Sequence, residues 1–378
     1  MRPDARRLVV VAGVVAALAA CTGPGTAKPP ASVATAPASG AHHARASTPP
    51  PAPLRAGERF AGLSIPRRYS PKPPHGGTDD YRCFLLDPHL TTAAWVTGTQ
   101  FLPDNDALVH HAIVFRVPAG QVPAAESWTC FSGTGVTGRL DQDASWIGAW
   151  APGGGEDVLP AGTGFRLDPG SRIVLQVHYS LLATDGRPGG ADRSALRLRL
   201  GAAGGLKALQ TRLLPAPVEL PCPPGQTGTL CDRSAALRDV AQRFGREAGA
   251  MVEGLNQLCH PSPGPTQSCD TTAGRAGTVY TVAGHMHLLG KRITVELNPG
   301  TSRARTLLAV DPYDFDNQRA RPLANPVRVA AGDVLRVTCT HDASLRQRLP
   351  ALAKLPPRYV VWGDGTADEM CLGIVTWG

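Results

Sequence analysis

The chain has no apolar run approaching the ~20 residues that a membrane-spanning helix requires; near its start, the uncharged apolar run from Leu8 to Ala20 is only about 13 residues long. None of its nine cysteines forms a CxxC pair, which argues against a thiolate zinc site. Aromatic residues make up 5% and are not interleaved with basic clusters, so nucleic acid is not expected as a partner despite a formal charge of +8, about +6 without the first 20 residues. From Thr22 to about Arg55 large apolar residues are almost absent. Such a segment cannot bury enough surface to offset chain entropy, and reads as a flexible or polyproline-like tether. His42 and His43 within it are expected to be solvated, with weak metal capture as the other use.

The short apolar run follows Arg2, Arg6 and Arg7 and ends in Leu18-Ala19-Ala20-Cys21. That is the make-up of an export signal. The final four residues resemble a bacterial lipobox, which would make Cys21 a lipidated residue anchored on the outer face of a cell membrane; an ordinary signal peptide cut near Ala20 is the alternative. The expected organisation is a signal over 1–20, a Pro/Ala/Ser-rich tether over 21–56, and two domains over 57–202 and 203–378, since about 320 residues suit two cores of ~150 each. The remaining cysteines, Cys83, Cys130, Cys222, Cys231, Cys259, Cys269, Cys339 and Cys371, are even in number. In an oxidising compartment they are expected to form disulfides, with a connectivity that spacing does not settle.

Short apolar runs broken by Gly, Pro and Asp predict antiparallel strands in the first domain: Ala93 to Val96, Ala112 to Val117, Gly164 to Leu167, Arg172 to Tyr179 and Leu196 to Leu200. The glycine-rich stretch 201–205 marks the boundary. The second domain repeats the pattern at Val279 to Val282, Arg292 to Leu297, Arg305 to Val310, Val327 to Val329, Val334 to Cys339, Tyr359 to Trp362 and Leu372 to Trp377. Between them Leu237, Val240, Ala241, Phe244, Ala248, Val252 and Leu255 recur at helical spacing. They predict one amphipathic helix within 232–258, capped by Asp232 or Ser234 and flanked by cysteines, as an insertion in a β domain.

Five of the eleven histidines stand in largely apolar, strand-like sequence: His110 and His111, His178, and His285 and His287. A buried imidazole needs a partner. Residues two apart share a strand face, so His285 and His287 can grip one metal ion. Adjacent residues point to opposite faces, so His110 and His111 can share an ion only at a twisted strand end or through different ring nitrogens. Met370, in Asp-Glu-Met-Cys, offers a soft thioether that favours Cu(I). His75, His89, His260 and His341 are expected to be surface or hydrogen-bonding residues.

The segment Trp362-Gly-Asp-Gly-Thr-Ala-Asp-Glu-Met370-Cys371 resembles the methionine block of the copper type II, ascorbate-dependent monooxygenases. Gly284-His-Met-His-Leu-Leu-Gly290 is similar to that family's His-x-His block, His110-His-Ala-Ile-Val-Phe115 to its tandem-His block, and Gln176-Val-His-Tyr179 to that of its remaining histidine. The four blocks occur in family order over roughly Tyr81 to Gly378. The resemblance implies two β-sandwich domains, jelly-roll-like, facing each other across a solvent-filled cleft with two copper ions per chain. His110, His111 and His178 would hold an electron-transfer copper, and His285, His287 and Met370 the copper that binds O2. Ascorbate or another one-electron donor would supply electrons for hydroxylating a substrate C–H bond. Tyr81 and Gln176 match family positions near the first copper. The resemblance also implies Cys83 with Cys130 and Cys339 with Cys371; by elimination and proximity Cys222 then pairs with Cys231 and Cys259 with Cys269.

Where peptide-hydroxylating members carry an arginine two residues before His-x-His, and an asparagine and a tyrosine after Met-Cys, this chain has Ala283, Leu372 and Ile374. A peptide carboxylate would find no cation there. The expectation is a monomeric, exported, lipid-anchored copper monooxygenase acting on a small molecule other than a peptidylglycine. A copper-binding or copper-delivery lipoprotein is the competing class.

Overall fold

The computed structural model describes residues 49–378 except 75–76, 132–145, 188 and 203. The expected export signal, the expected lipidation site Cys21, most of the expected tether, His42, His43 and His75 lie outside the described residues. Among those described, strands dominate and are almost all antiparallel. No described helix is long and apolar enough to cross a membrane.

One five-stranded sheet carries Ser127–Thr129, Asp79–Leu86, Arg172–Ser180, Val109–Val117 and Trp146–Trp150 in that spatial order. Strand alternation gives it two different faces. Phe84, Leu86, Ala112, Val114, Leu175 and Val177 share a core with Val96, Phe165, Leu196, Leu198 and Leu200 of a six-stranded sheet. Cys83, Phe115 and Val174, at the intervening positions, join a separate small cluster. Tyr81, His111, Gln176 and His178 fall in the same alternation as that second set.

Residues from Gln210 onward supply two four-stranded sheets. One runs Gln210–Pro215, Leu372–Trp377, Gly277–His285, Arg321–Val329, and the other Thr266–Thr272, Val334–His341, Gly290–Leu297, Arg305–Val310. Val279, Val282, Val375 and Trp377 of the first meet Ile293, Val295, Leu335 and Val337 of the second in a single core. Leu209 belongs to the earlier core and Leu214 to this one, so the change of core falls just after the glycine-rich stretch. The predicted strands all contain observed strand, several of them longer than expected. Glu58–Ser64, Asp79–Leu86 and Gln210–Pro215 were not predicted, because charged and polar residues interrupt their alternation.

The insertion differs from its prediction. It is two helices, Arg233–Phe244 and Arg246–Cys259, broken at Gly245, whose φ of 92° lies outside the helical region. Asp232 caps the first, its side chain accepting from the Ala235 N–H at 2.8 Å. Val240, Phe244, Ala248, Val252 and Leu255 still form one apolar face on the core. The disulfides pair as expected: Cys83–Cys130, Cys222–Cys231, Cys259–Cys269 and Cys339–Cys371.

Candidate metal centre

Tandem histidines in a regular strand would diverge, and here they do not. Val109 faces Tyr179 and His111 faces His178, leaving His110 as the extra residue of a β-bulge. The bulge turns both rings the same way, with their Nδ1 atoms 3.1 Å apart. His178 is the cross-strand partner of His111 on one side and of Tyr81 on the other. Its Nδ1 lies 3.4 Å from that of His111, and the Tyr81 ring stacks on it at 4.0 Å. All three histidines are buried, and their candidate ligand nitrogens lie within 4.8 Å of one another.

Partners on the outer nitrogens say which atoms are available. Nε2 of His178 is held by Asp79 Oδ1 at 2.9 Å, leaving Nδ1 for a metal. Burial would push the Asp79 carboxyl up, but the hydrogen bond and charge of His178, together with two hydrogen bonds from Thr366, hold it well below the usual carboxylate range. Burial, reinforced by the neighbouring imidazoles, pushes His110 and His111 well below the ordinary histidine value. Neutral imidazole is the form that ligates.

The second group sits only partly in a strand. His285 ends Gly277–His285 and His287 lies in the loop beyond it, yet their rings approach to 5.2 Å. His285 Nδ1 is 2.6 Å from Gln318 Oε1, and His287 Nδ1 is 3.3 Å from the Asp368 carbonyl oxygen. Each ring thus keeps Nε2 free, and that of His287 is buried without a hydrogen-bond partner. Desolvation, with the charge of His287, brings His285 down to about 3 against the opposing bond from Gln318. Met370 is half-buried and lines the same cavity as His285.

These donors suit copper. Imidazole is at home on copper, zinc, iron or nickel, and a thioether on the same cavity wall as an imidazole narrows the choice toward copper. The two groups are, however, not separated by an open cleft. The His110 and His287 rings stand 6.3 Å apart, and those of His111 and His285 5.7 Å. The cause lies in the loop before Met370: the Thr366 N–H and hydroxyl donate to Asp79 at 3.0 and 2.7 Å, and the Tyr81 hydroxyl donates to the Asp364 carbonyl at 2.7 Å. Phe315 covers His110 at 4.9 Å from the other side.

A cavity of about 940 Å³ opens on His111, His285 and Met370. Its walls are mainly apolar, with Phe115, Phe131, Trp146, Trp150 and Leu213 prominent. Ala283, Leu372 and Ile374 line it too, Ala283 pairing with Ile374 across the sheet. Met251 and Glu247 of the second insertion helix contribute a further stretch of wall.

Gln176, on the cavity wall, donates to the Cys130 carbonyl at 2.9 Å. His89 and His260 are exposed, as expected. His341 is not a surface residue: it is 2% exposed, with Nε2 3.4 Å from Glu369. Sequence reasoning missed Asp79, Gln318, Asp368 and Glu369, which hydrogen-bond to the candidate ligand residues His178, His285 and His287. Only Asp368 and Glu369 carried a signal, as acids next to a soft donor in a block otherwise short of charge. Asp368 is in turn held by two bonds from Arg243 of the first insertion helix, at 2.7 and 2.8 Å. The insertion, without a visible role in sequence, therefore braces the loop that carries Met370.

Residues 264–377 match the C-terminal domain of the copper type II ascorbate-dependent monooxygenases. Over 79% of its length the chain is 22% identical to MOXD1 homolog 1 of Drosophila melanogaster, covering 40% of that protein. Over 72% it is 27% identical to dopamine beta-hydroxylase of Equus caballus, covering 39%, and of Homo sapiens, covering 38%. The chain spans about two fifths of the length of the curated relatives it matches. With His111, His285 and Met370 on the wall of one cavity, the chain is similar to the copper type II ascorbate-dependent monooxygenases, over residues 264–377 in its match to their C-terminal domain.

Proposed function

We propose that this chain is an exported, lipid-anchored monooxygenase that hydroxylates a C–H bond of an apolar small molecule with O2 and a one-electron reductant such as ascorbate. Two copper ions per chain would be held by His110, His111 and His178 in one β-sandwich domain, 57–202, and by His285, His287 and Met370 in the other, 203–378. The observation that carries the reading is the convergence of five imidazoles, two of which, His111 and His285, share the wall of a single apolar cavity with the Met370 thioether.

Bound copper would supply one-electron redox chemistry and the means to activate O2. The protein's part is to prepare its surroundings. Asp79, Gln318 and the Asp368 carbonyl select which nitrogen His178, His285 and His287 present. Met370 biases its site toward Cu(I). Apolar walls exclude water and favour a substrate of the same character, within the size range of small-molecule pockets. Ala283, Leu372 and Ile374 offer no cation to a peptide carboxylate. Four disulfides suit export to an oxidising compartment.

The test is copper stoichiometry with ascorbate-dependent oxygen uptake, for the wild type and Met370→Ala. Two coppers per monomer, with uptake lost in the variant, are expected. Two coppers without uptake across a broad panel of apolar substrates would instead make the chain a copper-delivery lipoprotein.

A further inference from the structure

We propose that Glu369 is a positioning residue, which sets where His287 and Met370 stand relative to one another without itself touching a metal. The proposal rests on the reading that His285, His287 and Met370 hold a copper ion.

Glu369 is fully buried, and three segments of chain meet on its carboxylate. Oε2 accepts from the His287 N–H at 3.0 Å and from its neighbour Met370 at 3.3 Å; Oε1 accepts from the Leu289 N–H at 2.5 Å. The His341 ring, at the end of Val334–His341, stands 3.4 Å away. His287 and Leu289 lie between Gly277–His285 and Gly290–Leu297, outside either strand. Their amides would be costly to leave unpaired in so buried a place.

Both carboxyl oxygens of Glu369 are used as acceptors, and the backbone groups that meet them are all N–H donors. The amide of glutamine would turn an NH2 toward at least one of those N–H groups. Aspartate would keep the charge but withdraw it by one C–C bond, ~1.5 Å. In this arrangement the ligand on the His-x-His loop and the ligand of the methionine block are not independent. Both backbones hang from one side chain, and the Cys339–Cys371 disulfide adds a covalent tie to the strand that carries His341.

The experiment is copper-edge X-ray absorption on the full chain loaded with Cu(I), alongside competitive copper titration, for the wild type, Glu369→Gln, Glu369→Asp and Met370→Ala. In the wild type a sulfur scatterer is expected, absent from Met370→Ala. Glu369→Gln should lose it as well, with a 10- to 100-fold weaker second copper and an unchanged first, the range seen when groups behind a ligand are removed. Glu369→Asp should fall between. If Glu369→Gln does not fold, the aspartate variant decides by the same two readouts. Sulfur scattering and affinity unchanged in a folded variant would overturn the positioning role alone. Equal weakening of both coppers would overturn it in favour of a general structural one. A wild type without sulfur scattering would remove the copper assignment and this proposal with it.

Discussion

His178 and Thr366, far apart in sequence, share one carboxylate oxygen: Asp79 Oδ1 takes the His178 imidazole at 2.9 Å and the Thr366 amide and hydroxyl at 3.0 and 2.7 Å. A histidine of the first ligand group is thereby connected, through one buried side chain, to the loop that leads to Met370. Asp79 both fixes the His178 tautomer and docks that loop.

Asp79→Ala should therefore have two effects. With its outer nitrogen released, His178 is free to rotate, and the first copper should bind 10- to 100-fold more weakly in competitive chelator titration. The Thr366 amide also loses its buried acceptor, so the segment 363–368 should exchange its amide hydrogens faster. Unchanged affinity together with unchanged exchange would show that Asp79 performs neither task.

Glu219 anchors the helical insertion. Its buried carboxylate accepts two bonds from Arg233 at 2.8 Å, one from Tyr359 at 2.8 Å, and one from Asn256. Burial would raise its pKa, but these bonds and the Arg233 charge bring it below the ordinary glutamate range. A carboxyl lowered on folding contributes stability that is fully present above its unfolded value and is lost as pH falls through the folded one. Glu219→Gln should cost about 2 kcal/mol at pH 7, less than a fully buried pair because Arg233 is 31% exposed. In urea denaturation the gap between wild type and variant should narrow below about pH 4. A gap constant from pH 7 to pH 3 would refute the assignment.

Ala283 tests the character of the cavity. An apolar fluorescent probe should bind the wild type, and Ala283→Arg should weaken it by about tenfold or more, because a guanidinium is costly to bury among such walls. The same variant should gain affinity for small hydrophobic carboxylates, measured by displacement of the probe. Probe binding that is indifferent to Ala283→Arg would place the apolar ligand elsewhere.

Short-range patterns were enough for much of this protein. Alternating apolar runs located most strands, since a half-buried strand must repeat every two residues. The apolar face of the insertion was legible too, although its break was not: Gly245 alone gave no reason to expect two helices. The tandem histidines were ambiguous for a sound reason, because a regular strand would have separated them. The bulge that unites them is set by pairing with Tyr179 and His178, some 67 residues away from His111.

The chemical kinds of the candidate ligands, and so the expectation of copper, were written in the chain: imidazole and thioether hold their donor character wherever they are placed. Which ring nitrogen faces inward, and how close the two ligand groups come, were not. Those depend on Asp79, Gln318, the Asp368 carbonyl and Glu369, groups brought near the histidines by packing between distant segments, and no spacing along a chain encodes a distance across its core.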